Sequence, residues 1–225
     1  MIIYGKQIFL YVLRNYASLI EEIYLAKEVD KKLFAEISRQ GKPILRLDAK
    51  KAQALAHGGN HQGMLMKIAD LHFTPFETIK KSAFIVVLHS VTDAGNIGAI
   101  IRSAYALGVD ALVISGIRQL KLEPLVRTSS GAIFEMPVVL YPDTASLINE
   151  LKQAGFKTYA ASMDGKDVRE MIFQTPKALI VGSEGEGLPL RLQNRCDEKI
   201  AIRMERAFDS LNVSVATAIL CDRMR

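Results

Sequence analysis

Two periods alternate along the chain. Apolar residues recur at helical spacing from Gly5 to Tyr16 (Ile8, Val12, Leu13, Tyr16) and then take the shorter pattern of a strand from Ile20 to Ala26. The same alternation predicts a helix over Lys31 to Arg39, a strand over Ile44 to Leu47, a helix over Ala49 to Ala56 and a strand over Met64 to Ile68. Residues 1–70 therefore read as a small α/β sandwich. Between its last helix and strand lies His57-Gly58-Gly59-Asn60-His61-Gln62-Gly63. That loop either brings backbone close to a ligand or RNA strand or simply connects two elements.

Residues 71–82 have no clear period, carry Pro75 and end in Lys80-Lys81-Ser82, so they read as a linker. Beyond them the apolar runs become continuous: Ala83 to Leu88, Ala111 to Ile114, Pro137 to Leu140, Thr158 to Ala161, Ala178 to Val181 and Ile200 to Ile202. Such runs suit parallel strands buried on both faces. With helical patterns between most of them, they predict an open, mostly parallel α/β sheet that binds ligands at the carboxyl ends of its strands.

Three turns stand near such ends. After Val181 comes Gly182-Ser183-Glu184-Gly185-Glu186-Gly187, where the missing Cβ atoms permit close approach. Its spacing is not that of the nucleotide loops, and two carboxylates would repel a pyrophosphate. A positively charged nucleoside without phosphates fits better, with an ordinary strand-to-helix turn as the bland alternative. The second turn, Ser210-Leu211-Asn212-Val213-Ser214, reads as a helix start with Ser210 as N-cap. No residue from Leu211 to Cys221 is charged, so this helix is expected to be buried, under the chain's own sheet or under a second copy. The third turn, Val91 to Asn96, opens a helix running to Leu107, with Ile97, Ile100, Ile101, Ala104 and Gly108 on one face. Arg102 points about 140° from the centre of that face and is not a core residue.

Composition narrows the chemistry. Cysteines are only Cys196 and Cys221, which suits a reducing compartment, and the histidines (His57, His61, His72, His89) lack metal-ligand spacing, so no metal is expected. No uncharged run is long enough to span a membrane, and no leader is recognisable, so a soluble cytoplasmic protein is expected. Residues 1–80 carry 12 Lys+Arg against 8 Asp+Glu, whereas residues 81–225 carry 17 against 16. A basic front module beside a near-neutral one fits nucleic-acid docking by the first and chemistry by the second, although a solvated lysine-rich surface has the same composition.

The three turns together resemble a known family. Asp93 to Ala104 with Asn96 and Arg102, then Leu179 to Gly187, then Ser210 to Ala216 are similar in order and spacing to the motifs of the SpoU (TrmH) family, RNA ribose 2′-O-methyltransferases of the SPOUT superfamily. Over residues 83–225 the resemblance implies a trefoil-knotted methyltransferase domain with a mostly parallel sheet, an exception to unknotted topology. Residues 1–70 resemble the L30e-like α/β substrate-binding domain preceding some members, among them enzymes acting on a guanosine of 23S rRNA. The segment His61-Gln62-Gly63 is similar to that domain's end.

The resemblance further implies S-adenosylmethionine as cofactor, held by Gly182, Ile202 and Leu211, with Glu184, Gly185, Ser210 and Asn212 lining the site. It implies Arg102 and Asn96 as catalytic residues and a homodimer through the knot region. Two positions depart from the family pattern, Ala94 and Arg203, each standing where proline is common. Arg203 and Arg206 are alternative candidates for RNA phosphates. A tRNA substrate, or an RNA-binding protein without activity, remain the alternatives. A Rossmann oxidoreductase is disfavoured because only Gly95 and Gly98 follow Leu88, in the wrong frame.

Overall fold

The computed structural model describes residues 1–206 and 210–225. The chain divides into two compact units, residues 1–72 with 122–131, and residues 73–121 with 132–225. The expected boundaries treat 83–225 as one continuous run, yet residues 122–131 group with the front unit. Within that unit Arg127 lies 5.7 Å from the Tyr4 ring centroid, and a Cβ on Gly131 would meet Tyr11.

In the front unit the strands are β1 (Ile2–Tyr4), β2 (Ile20–Leu25), β3 (Ile44–Arg46) and β4 (Met64–Ile68), in the sheet order β1-β4-β2-β3. The helices are α1 (Lys6–Asn15), α2 (Lys31–Ser38) and α3 (Ala49–Leu55). Periodicity locates all of these except β1, whose three residues are too few to show a period. Aspartates start two of the helices: Asp30 accepts from Leu33 N and Asp48 from Lys51 N. Strand β3 pairs only with β2, in parallel, and so forms an edge.

The second unit begins with α4 (Phe76–Ile79), a helical turn inside the segment read as a linker; its Ile79 is buried in the unit's core. Strands β5 (Phe84–His89), β6 (Ala111–Ser115), β7 (Val138–Tyr141), β8 (Lys157–Asp167), β9 (Lys177–Val181) and β10 (Glu198–Ala201) make a sheet ordered β10-β8-β9-β5-β6-β7. Every pairing in it is parallel, as the continuous apolar runs predict. Its helices are α5 (Ala94–Ala106), α7 (Thr144–Gln153), α8 (Leu190–Gln193) and α9 (Val213–Met224), while α6 (Glu123–Thr128) lies with the front unit. From β5 the chain winds outward through β6 and β7, then returns to lay β9 against the other side of β5. The order reverses there, and a crevice opens outside the carboxyl ends of the strands at such a point.

Helix α5 buries Ile97, Ile100, Ile101 and Ala104, as its wheel predicts, and Gly98 with them. Full removal of each isoleucine from water contributes about 1.5–3 kcal/mol. Gly108 does not belong to that face. It lies past the helix end at φ +79, where lack of a Cβ makes the left-handed turn cheap. Helix α9 departs more from expectation. Val213, Thr217, Leu220, Cys221 and Met224 are buried, yet Val215 is 48% exposed. Helix α5 and the turn at 168–170 pack against α9, while the side that carries Val215 and, two turns on, Asp222 stays exposed.

Candidate functional site

The three turns meet in the second unit. Strand β9 ends at Val181, and the next residues double back through a Ser183–Gly187 bridge, with Gly187 N donating to Ser183 O at 2.9 Å. Gly187 takes the left-handed φ of +64 that this return requires. A Cβ placed on Gly182 would lie 2.0 Å from Gly187 C and 2.1 Å from Leu188 N. Glycine at 182 is thus demanded by the chain's own crossing.

Around this turn is a cavity of about 810 Å³, inside the range of small-molecule clefts, about 300–1,000 Å³. Its walls are the end of β8, the 181–188 turn, residues 200–206, Ser210 and Leu211, and the inner face of α9. Of the expected cofactor residues, Gly182, Glu184, Gly185, Ile202, Ser210 and Leu211 line it. Asn212 does not; its side chain is occupied elsewhere. Arg203 and Arg206 also stand on the wall and are exposed.

The Asn212 amide ties three segments together. Its Nδ2 donates to Asn96 Oδ1 at 3.1 Å and to the Glu184 carboxylate. Its Oδ1 accepts from Ser214 N at 3.0 Å and Val215 N at 3.4 Å, which makes Asn212 the N-cap of α9. The expectation that Ser210 caps this helix is therefore corrected: the helix begins at Val213, and Ser210 lines the cavity instead. Glu184 also accepts from Val213 N at 3.3 Å, placing negative charge at the positive end of α9.

Asn96 is the third residue of α5 rather than its first. Asp93 caps the helix by accepting from Asn96 N at 2.7 Å, and Ala94 is the first helical residue. Proline is favoured at that position because its missing N–H would have no helical partner, and alanine occupies it without losing a bond. Arg102 is on the exposed side of α5, about 9 Å along the axis from Asn96 at 1.5 Å per residue, and is not on the cavity wall. Asn96 is joined to Asn212, next to the cavity wall.

Two groups of side chains here escape the sequence reading. Gln193 donates from Nε2 to Leu188 O at 2.6 Å and accepts from Ser162 Oγ at 3.0 Å, bracing the glycine turn against the end of β8. Strand β8 continues to Asp167, well past the expected end at Ala161, which puts Ser162 and Met163 on the wall. The rule that sites form at carboxyl ends of parallel strands was the available signal for this edge. At the end of β5, His89 Nδ1 lies 2.8 Å from Thr144 Oγ1 and its Nε2 3.3 Å from Ser90 Oγ. Burial, with a smaller contribution from the Arg191 charge and against that of Glu186, holds His89 below the usual imidazole pKa.

Among the described residues, no cluster of three or more His, Cys, Asp or Glu could hold a metal ion, and no helix is long and apolar enough to cross a membrane. Both cysteines are free.

The chain is similar to known proteins over most of its length. A family model described as the SpoU rRNA methylase family matches residues 83–222, and one described as RNA 2′-O ribose methyltransferase substrate binding matches residues 2–74. A protein of Archaeoglobus fulgidus named "Uncharacterized tRNA/rRNA methyltransferase" is 33% identical over 204 residues, covering 89% of this chain and 88% of its own. An AdoMet-bound rRNA methyltransferase from Sinorhizobium meliloti superposes with a TM-score of 0.80 at 24% identity, over 99% of this chain and 85% of that one. The TrmH/SpoU tRNA modifying enzyme of A. aeolicus superposes at 0.56 with 28% identity, over 64% of this chain and 74% of that one.

Proposed function

Because the chain belongs to the SpoU rRNA methylase family, we propose that it transfers a methyl group from S-adenosylmethionine to the 2′-hydroxyl of a ribose in 23S rRNA, most simply that of a guanosine. The observation that carries this reading is the junction of Asn96, Asn212 and Glu184 beside the cavity, which joins the three sequence motifs at one place.

The residues present fit the cofactor. Glycine at 185, with open space where a Cβ would stand, admits a ligand close to the main chain, and the carboxylates of Glu184 and Glu186 complement a positive charge. S-adenosylmethionine supplies, when bound, a methyl group on a positively charged sulfur. Gly182, Ile202 and Leu211 hold its adenosine portion, and Glu184, Gly185 and Ser210 line the rest. Asn212 acts one step removed, by positioning Glu184 and Asn96.

The chain must also ready a sugar hydroxyl. Arg102 cannot serve as the base, since a guanidinium stays protonated in proteins. It instead grips an adjoining RNA phosphate and places positive charge beside the oxygen as that oxygen gives its proton to water and takes the methyl group. Asn96 orients the hydroxyl. Arg102, exposed on α5, is open to RNA outside the cavity, and a second copy of the chain covers the side of α9 that carries Val215. The C-terminal segment threads as the family's knot, a reading supported by the family match over residues 83–222.

Ribosomal RNA is preferred over tRNA because rRNA methyltransferases match the chain along nearly its whole length, whereas the tRNA modifying enzyme matches 64% of it. A cytoplasmic location follows from that substrate. The test is incubation of the purified protein with methyl-labelled S-adenosylmethionine and with rRNA or tRNA, followed by mapping of 2′-O-methyl groups. Label on a 23S guanosine supports the reading, label on tRNA replaces the substrate, and label on neither overturns it.

A further inference from the structure

The excess charge of the front unit is concentrated in one stretch. Residues 27–51 hold 8 Lys+Arg and 4 Asp+Glu, while the rest of residues 1–80 holds 4 of each. Three of those four acids are already engaged: Asp30 and Asp48 cap helices, and Glu36 pairs with Arg14 at 2.7 Å. Lys27, Lys31, Lys32, Arg46, Lys50 and Lys51 are exposed around the carboxyl ends of the parallel pair β2 and β3. Helix α2 begins with Lys31 and Lys32, and α3 carries Lys50 and Lys51 after Ala49; neither has an acid within its first turn, and of the four only Lys51 pairs with a cap, Asp48, at 3.7 Å among the described residues. Cations there oppose the helix dipole, so the placement of Lys31, Lys32 and Lys50 is not explained by it.

On the same side an aromatic ring is exposed. Phe34 is 40% and Leu45 45% exposed, and the Arg46 guanidinium lies 5.8 Å from the Phe34 ring centroid. Arg46 is held at its other end by donating from Nη1 to Lys27 O at 3.1 Å. An exposed ring with a guanidinium over one face, among further cations, suits an unpaired base flanked by phosphates. A duplex would use the cations but leave the ring idle, because its bases are stacked on one another.

We propose that the surface built by Phe34, Leu45 and Arg46 on α2 and the β3 edge docks single-stranded RNA, with one unpaired base stacking on Phe34 and its phosphates met by the surrounding lysines. The inference rests on the reading of the chain as RNA-directed and names the part of the front unit that makes contact. It gives the enzyme a reason to select loops or unfolded segments.

The test uses the full chain, a labelled single-stranded oligoribonucleotide and a blunt duplex of the same sequence. Phe34→Leu keeps an apolar side chain and should weaken single-strand binding about tenfold, whereas Phe34→Trp should retain it. Arg46→Ala should weaken single-strand binding and lower the salt slope by about one. S-adenosylmethionine binding should not change in any of the three. Unchanged affinity of Phe34→Leu for the single strand, equal losses in the Leu and Trp variants, or equal losses for single strand and duplex would each overturn the docking proposal while leaving methyl transfer untouched. Conversely, Phe34-dependent binding in a wild-type protein that transfers no methyl group would support the surface and sink the proposed activity.

Discussion

Asn212 Nδ2 donates to Asn96 Oδ1 at 3.1 Å across 116 residues of sequence, while the same amide caps α9 and bonds Glu184. One side chain therefore holds two helix starts and the glycine turn in register. Two substitutions separate its duties. Asn212→Ala removes the cap and both ties and should cost about 1–3 kcal/mol in thermal unfolding. Asn212→Asp keeps the acceptor that caps α9 but turns a carboxylate toward Glu184, so it should retain more stability than alanine and still lose S-adenosylmethionine affinity. Equal affinity in Asn212→Asp and wild type would remove Asn212 from the site.

The two glycines of the turn should respond oppositely. Gly182→Ala forces a Cβ into the backbone of Gly187 and Leu188, which has no flexible side chain to yield, and should cost about 3 kcal/mol or more. Gly185→Ala meets nothing within 4 Å and should leave stability nearly unchanged. Chemical denaturation of both variants checks the contrast.

Arg102→Ala should lower kcat by roughly 100-fold with little change in S-adenosylmethionine affinity, because the guanidinium stands off the cavity wall. Arg102→Lys keeps the charge and loses the bidentate fork, so it should recover only part of the rate. Near-normal turnover of the lysine variant would contradict the phosphate grip.

Val215 tests the open face of α9. Val215→Asp places a charge on a residue already 48% exposed, which a lone chain tolerates. If a second copy covers that face, sedimentation should show a monomer and turnover should fall. A variant that sediments and turns over like wild type would remove the second copy from the reading.

His89 makes a pH prediction. Its pKa is lowered in the folded chain, chiefly by burial, so the neutral ring is the form the fold favours. The contribution is fully present above the unfolded value of about 6.5 and is lost as pH falls below it, because the unfolded chain takes up the proton first. Melting temperature should therefore drop from about pH 6.5 downward, and His89→Gln should flatten that part of the profile.

How far the chain could be read depends on which forces act locally. Helices α1, α2 and α5 were legible because burial of one stripe leaves a 3.6-residue period, and the second unit's strands because burial on both faces leaves continuous apolar runs. Strand β1 was not legible, since its three residues matter only through pairing with β4. Nor was the grouping of residues 122–131 with the front unit, which depends on contacts with residues such as Tyr4 and Tyr11 over a hundred positions away.

By itself the sequence determined the element types, the parallel sheet, the three turns and the residue kinds able to receive a positively charged nucleoside, because these follow from periodicity, backbone freedom and charge. Only the tertiary structure decided that Asn212 rather than Ser210 caps α9, and that Asn212 braces the site from outside the cavity. Those outcomes depend on where distant segments meet. A hydrogen bond or a cavity wall is a property of positions in space, and spacing along the chain does not encode it.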